Sequence, residues 1–156
     1  MQINSKTNGI RELIQAFERS PEIFTRHMKL AVNQNLRDVQ TEAKQNHRFT
    51  ARTGMLERAI QTKDADENLS GSVYLDTNIA KYANIVHEGA KPHVITPTNR
   101  VSLRWATGGG FKFAKKVMHP GTAKDQFVYE ALENKQSSIQ QRYVDAVSKA
   151  RSEVGL

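Results

Sequence analysis

The feature that most constrains this chain is a change of period. Apolar residues recur every three or four positions at both ends and every second position in the middle. Near the N-terminus Ile10, Leu13, Ile14 and Phe17 keep helical spacing after Asn8-Gly9. Ser20-Pro21 then predicts a break and a fresh start, with Ser20 as cap and Pro21 in the first turn. From Pro21 to about Asn46, Phe24, Met28, Ala31, Val32, Asn35, Leu36, Val39 and Ala43 trace one face, opposite Arg26, Lys29, Arg37 and Lys44. This is an amphipathic helix with one buried stripe. A last helix, opened by Thr122 or Asp125 and ending near Arg151, carries Phe127, Ala131, Leu132, Ile139, Tyr143, Val144 and Val147 on its apolar side.

Between these helices the segments are short. Thr53 is placed to cap a helical turn through Ala59, and Ala59 to Lys63 with Leu69 to Asp76 form a hairpin about the polar turn Asp64 to Asn68. Asn78 to Glu88 returns to helical spacing and is ended by Gly89. His93 to Thr96 is β-like and is stopped by Pro97. Val101 to Met118 reads as a second hairpin about Thr107-Gly108-Gly109-Gly110, whose alternation should bury Trp105, Phe111 and Phe113 and turn its charge outward. Strands that are local in sequence imply an α+β fold: an antiparallel sheet of hairpins packed against a long N-terminal and a long C-terminal helix. The 156 residues suit one domain, with mobile tails expected at 1–8 and 152–156.

The net charge of +7 is not spread evenly. Lys91, Arg100, Arg104, Lys112, Lys115, Lys116 and Lys124 fall between Gly89 and Lys124, a stretch without a single acid; elsewhere sixteen Lys and Arg face sixteen Asp and Glu. These seven residues are the candidate partner-docking set, attractive to phosphate backbones or acidic protein surfaces. Catalytic and metal chemistry is poorly provided for. There is no cysteine, which excludes thiolate sites and suits a reducing cytoplasm. Asp64 to Asn68 begins like a calcium loop, but Leu69 and Leu75 stand where Gly and Glu are needed. The glycines at 108–110 lie between strands and lack the Lys-Ser or Lys-Thr of a phosphate loop. His87, Glu88, His93 and His119 are the best zinc or acid–base candidates, yet they form no metal-binding spacing and read as turn and cap residues. Met1 to Gly9 lacks the apolar core of a signal peptide, and no apolar run has membrane-spanning length.

Several segments together resemble the tail-component family of tailed bacteriophages, the tail-completion, neck or head–tail joining proteins. They are Arg52-Thr53-Gly54-Met55-Leu56 with Ala59-Ile60, then Tyr82-Ala83-Asn84-Ile85-Val86-His87-Glu88-Gly89, then His93-Val94-Ile95-Thr96-Pro97. The hairpin Leu103 to Val117 and His119-Pro120-Gly121-Thr122 follow, leading into Phe127 and Ala131. One departure is Gln126-Phe127-Val128, where the family often has an aromatic–Leu or Pro-Phe pair. The resemblance implies a non-enzymatic virion protein, made in the bacterial cytoplasm, that forms a homo-oligomeric ring. It implies no cofactor, no metal and no membrane. The implied partners are the connector or adaptor, tail-terminator and tail-tube proteins, with possible contact to genomic DNA in the channel. The localised charge also sustains a rival expectation, a small basic nucleic-acid-binding protein.

Overall fold

The computed structural model describes residues 10–155, with side chains from position 15 onward. The tail expected at 1–8 lies outside the described residues. The chain is mixed α+β, and its frame is two long helices, α1 (Ile10–Gln45) and α4 (Phe127–Val154). They run antiparallel, as their polar rungs show: Arg26 meets Glu153, Arg142 meets Asp38 at 2.6 Å, and Lys135 meets Glu42 at 2.9 Å.

α1 is one helix, not the two implied by Ser20-Pro21; Pro21 sits inside it. An interior proline has no N–H for the carbonyl four residues back and ordinarily costs a helix about 3 kcal/mol. Here Ser20 Oγ donates to that carbonyl, the oxygen of Phe17, at 2.9 Å. The residue expected to cap a new helix instead supplies the donor that proline lacks, and the helix continues.

The predicted stripe on α1 is the one that is buried: Ala31, Val32, Asn35, Val39 and Ala43 lie in the core. On α4 the stripe is shifted. Phe127, Ala131, Ala146, Ala150 and Val154 are buried, whereas Leu132, Val144 and Val147 are exposed. Small residues at 146 and 150 let the helix backbones approach, and Arg142, bonded to Asn35 and Asp38 of α1, sets the same rotation. The larger side chains are left outside. Residues 152–154, expected as part of a tail, continue this helix, and Val154 is buried.

The connecting segment between the long helices builds the rest of the core. α2 (Met55–Ala59) leads directly into β1 (Ile60–Lys63), which pairs antiparallel with β2 (Ser72–Leu75) in the register Ile60 to Leu75. α2 starts from Gly54, and Thr53 makes no capping bond. Leu56, Ala59, Ala80 and Ala83 form one buried cluster; Val39, Ala43, Ile60, Phe127 and Ala131 form another, and Phe49, Leu75 and Val86 touch both. Ile60 and Phe127 are fully enclosed, each contributing about 1.5–3 kcal/mol of hydrophobic stabilisation. Gln40 Nε2 donates to the Ile60 carbonyl at 2.7 Å and ties α1 to β1.

Asp125, predicted to open α4, instead clamps the far linker. Its Oδ2 accepts the backbone N–H of Arg48 at 2.7 Å and of Phe49 at 2.8 Å, and the helix starts after Gln126 without a side-chain cap.

α3 (Ala83–Glu88) and the strands β3 (His93–Ile95), β4 (Leu103–Thr107), β5 (Gly110–Ala114) and β6 (Val117–His119) complete the order. The strands do not join into one sheet. They form three two-stranded antiparallel ladders, β1–β2, β3–β6 and β4–β5. The predicted second hairpin stops at Ala114, and Val117 to His119 turns back to pair with β3, with His93 opposite His119. Only β1–β2 lies along α1; β4–β5 has no extensive contact with either long helix.

Candidate functional site

The acid-free stretch forms an arm. It leaves the core after α3, runs out through β3, makes the β4–β5 hairpin and returns through β6 to α4. Its root is a backbone crossing. Ala90 N donates to Thr122 O at 3.0 Å, and Thr122 N donates to Ala90 O at 2.9 Å. The crossing is close enough to require glycine on both sides. A Cβ on Gly121 would lie 2.2 Å from the Ala90 oxygen, and one on Gly89 would lie 3.0 Å from the Thr122 oxygen. Both glycines have positive φ, 91° and 76°. The segments Tyr82 to Gly89 and His119 to Thr122, thirty residues apart in the chain, are therefore one structural unit.

No residue between Glu88 and Lys124 is buried, so the arm has no core of its own. All seven candidate docking residues are exposed. Lys91 precedes β3, Arg100 lies in the loop before β4, Arg104 is on β4, Lys112 on β5, and Lys115 and Lys116 in the bend before β6. Lys124 returns to the core and faces Glu88 at 3.7 Å. Among the described residues the other six have no ion-pair partner. The structure thus distributes the seven along an arm and does not gather them into one pocket.

The aromatic residues of the arm do not pack into a core, contrary to their expected burial. Phe113 is 64% exposed, Phe111 57% and Trp105 40%. Register explains it. Arg104 pairs with Phe113, Trp105 with Lys112 and Ala106 with Phe111. Residues paired across an antiparallel ladder share a face. Phe111 and Phe113 therefore stand on one face with Arg104, whose guanidinium lies 4.1 Å from the Phe111 ring centre, while Trp105 stands on the other with Lys112. No single apolar face forms, and neither strand has extensive contact with a helix.

The histidines are dispersed. His87 is buried, with its ring edge-on to Phe127 and Tyr129 at 5.0 and 4.8 Å and its Nδ1 2.9 Å from Glu88 Oε1. His93 and His119 sit opposite each other across β3–β6, ring centres 5.0 Å apart. His93 Nδ1 donates to the Lys91 carbonyl at 2.9 Å, and His119 Nδ1 accepts the Gly121 N–H at 3.1 Å. Both thus act as turn residues at the root of the arm. Among the described residues no three His, Asp or Glu side chains are grouped to hold a metal ion, and no helix is long and apolar enough to cross a membrane.

Sequence reasoning passed over a second surface. A groove of about 420 Å³ runs between α1, the β1–β2 hairpin and α4. Leu36, Val73, Leu132 and Tyr143 are among its lining residues, and Leu132 and Tyr129 at its rim are each 52% exposed. The signal available in the sequence was the excess of large apolar residues on α4 over what one helix face accommodates. No family model matches this chain, and no curated protein or solved structure is significantly similar to it.

Proposed function

We propose that this protein is a structural subunit of a closed protein assembly, working through its surfaces and not through catalysis. More particularly, we assign it to the ring that completes the tail of a tailed bacteriophage or joins that tail to the head, in contact with connector, tail-terminator or tail-tube proteins. The observation that carries this reading is the convergence of the family-like segments. The two glycines of Tyr82-to-Gly89 and His119-to-Thr122 meet at a single backbone crossing, where a Cβ would collide at Gly121 and be crowded and strained at Gly89. These residues form a connected device that holds an exposed arm against a small core. A chain built this way presents open strand edges and unpaired charge to neighbours, and head-to-tail contacts that close on rotation make rings.

The test is removal of the protein from the particle that contains it. Electron microscopy should then show separated heads and tails, or tails lacking their head-proximal end. Intact infectious particles without the protein would end the proposal.

A second reading, a nucleic-acid-binding module, is favoured by Phe111 and Phe113 standing exposed beside Arg104 on an acid-free arm. Exposed aromatics among cations are suited to base stacking. This reading requires steeply salt-dependent DNA binding by the isolated protein, lost when Lys112, Lys115 and Lys116 are neutralised.

A further inference from the structure

The arm and the groove are complementary surfaces of the same chain, and no residue of the arm lines the groove. The arm is cationic and tipped with exposed aromatics. The groove is lined mainly by apolar side chains, and its β1–β2 side ends in the turn carrying Asp64, Asp66 and Glu67. Between Asp64 and Glu88 the chain has five acids against a single lysine, Lys81. The turn is held in shape. Asp66 Oδ1 accepts the backbone N–H groups of Asn68 and Ser70, each at 2.9 Å, and keeps Leu69 at φ 59° with its side chain in the groove wall. A non-glycine residue persists in that conformation only where its surroundings over-determine it. The groove wall is therefore built and does not need a partner to form it. Asp64 is spoken for only by a 3.7 Å contact to the exposed Arg37, and Glu67 has no ion-pair partner among the described residues.

The geometry points to a second copy of this chain as the occupant: the β4–β5 hairpin of one subunit docks Phe111 and Phe113 into the α1–β2–α4 groove of the next, while Lys115 and Lys116, in the bend after β5, face that neighbour's Asp64 and Glu67. The contact joins different surfaces on the two copies, so a linked pair or row keeps one free arm at one end and one free groove at the other, and the series is completed when it closes on itself as a ring. This deepens the ring reading, on which it rests, by naming the faces that meet. Charge complementarity selects the partner and its register, and the aromatic side chains anchor it.

The chain has no cysteine, so a designed cross-link reports the contact directly. In the full-length protein, Phe113→Cys with Leu132→Cys should give a ladder of disulfide-linked multimers on mild oxidation. A mixture of the two single variants should give linked dimers of one with the other. Phe113→Cys paired with Val144→Cys, which is exposed on α4 but outside the groove, should link at least about tenfold more slowly. A purely intramolecular disulfide, or equal linking at position 144, would overturn the proposal.

Charge reversal gives the second arm of the test. Lys115→Glu with Lys116→Glu, or Asp64→Lys with Glu67→Lys, should each weaken self-association in sedimentation by about tenfold or more. Asp66 is left in place because it shapes the turn. Mixing the two charge-reversed proteins should restore assembly, since every contact then again pairs opposite signs; failure to restore it refutes the docking. A short DNA duplex added in equimolar amount should leave the cross-linking unchanged. If it abolishes the cross-linking, the arm belongs to nucleic acid and the proposal falls. Wild-type protein that assembles while the Cys pair stays unlinked would remove this contact and leave the ring reading standing. Protein that stays monomeric at millimolar concentration removes this contact as well, and the ring reading then stands or falls with the particles that lack the protein.

Discussion

Adding one methyl group at Gly121 is expected to free the arm from the core. The magnitude follows from the crossing. At φ 91° a Cβ is disfavoured by about 1–2 kcal/mol. In addition, the new carbon would lie 2.2 Å from the Ala90 oxygen, so the two backbone segments have to separate. Separation gives up the two hydrogen bonds between Ala90 and Thr122, at 3.0 and 2.9 Å, each contributing about 1 kcal/mol. The total for Gly121→Ala is about 3–4 kcal/mol. Native-state hydrogen exchange measures it where it acts. Protection of the Ala90 and Thr122 amides should fall by about 100- to 1,000-fold, because 1.4 kcal/mol is a factor of ten. To the extent that the loss spreads to the whole domain, Tm falls too, by up to about 6–16 °C for a chain of this size. Gly109→Ala is the matched control, because nothing lies within 4 Å of its Cβ position and its φ is not positive. It should leave both readings within about 0.5 kcal/mol of wild type. If Gly121→Ala keeps full protection at Ala90 and Thr122, the close crossing is not a constraint in solution and the account of the arm's root is wrong.

Three further outcomes are expected. Asp125→Ala removes the acceptor of the Arg48 and Phe49 amides and should lower stability by about 2–4 kcal/mol in urea titration, with Asp125→Asn retaining part of it; a change under about 0.5 kcal/mol would show that the clamp is not formed. Pro21→Ala restores the missing donor within α1 and should raise helicity by circular dichroism and stabilise the chain by about 1–3 kcal/mol, whereas a loss of helicity would mean that the helix is broken there. The α1–α4 seam should weaken in acid. Glu42 is held below its usual carboxylate pKa by hydrogen bonds from Lys135, Asn134 and Asn46, and Glu153 by Arg26 and His27. A carboxylate whose folded pKa is lowered contributes stability that is fully present above its unfolded value, 4.5, and is lost as pH falls through the lower, folded one. Thermal stability of wild type should therefore drop below that pH more steeply than that of Glu42→Gln/Glu153→Gln; identical slopes would exclude these two groups as the cause.

Local pattern alone determined a good part of this protein. The single buried stripe of α1, the β1–β2 hairpin, the glycine end of α3 and the α+β class all follow from side-chain period and turn residues, which act within a few positions of one another. The uneven charge was visible in the same way, since an acid-free stretch needs no fold to be recognised. Even the exposure of the arm's aromatics was partly encoded. A turn at Thr107 to Gly110 already sets Ala106 opposite Phe111, which puts Trp105 and the two phenylalanines on different faces.

What only the tertiary structure decided are the matters that depend on residues far apart in the chain. Pro21 stays inside a helix because Ser20 happens to satisfy the freed carbonyl, and propensity does not register that bond. Asp125 bonds amides seventy-six and seventy-seven residues away and so does not cap the helix beside it. Val117 to His119 leaves the nearer hairpin to pair with His93 to Ile95. The rotation of α4 is set by the close approach of Ala146 and Ala150 to α1 and by the reach of Arg142, which leaves Leu132 and Tyr129 at the rim of an open groove. Period tells which side of a helix is apolar; only the partner helix, through its distance and its polar rungs, selects how much of that side is covered.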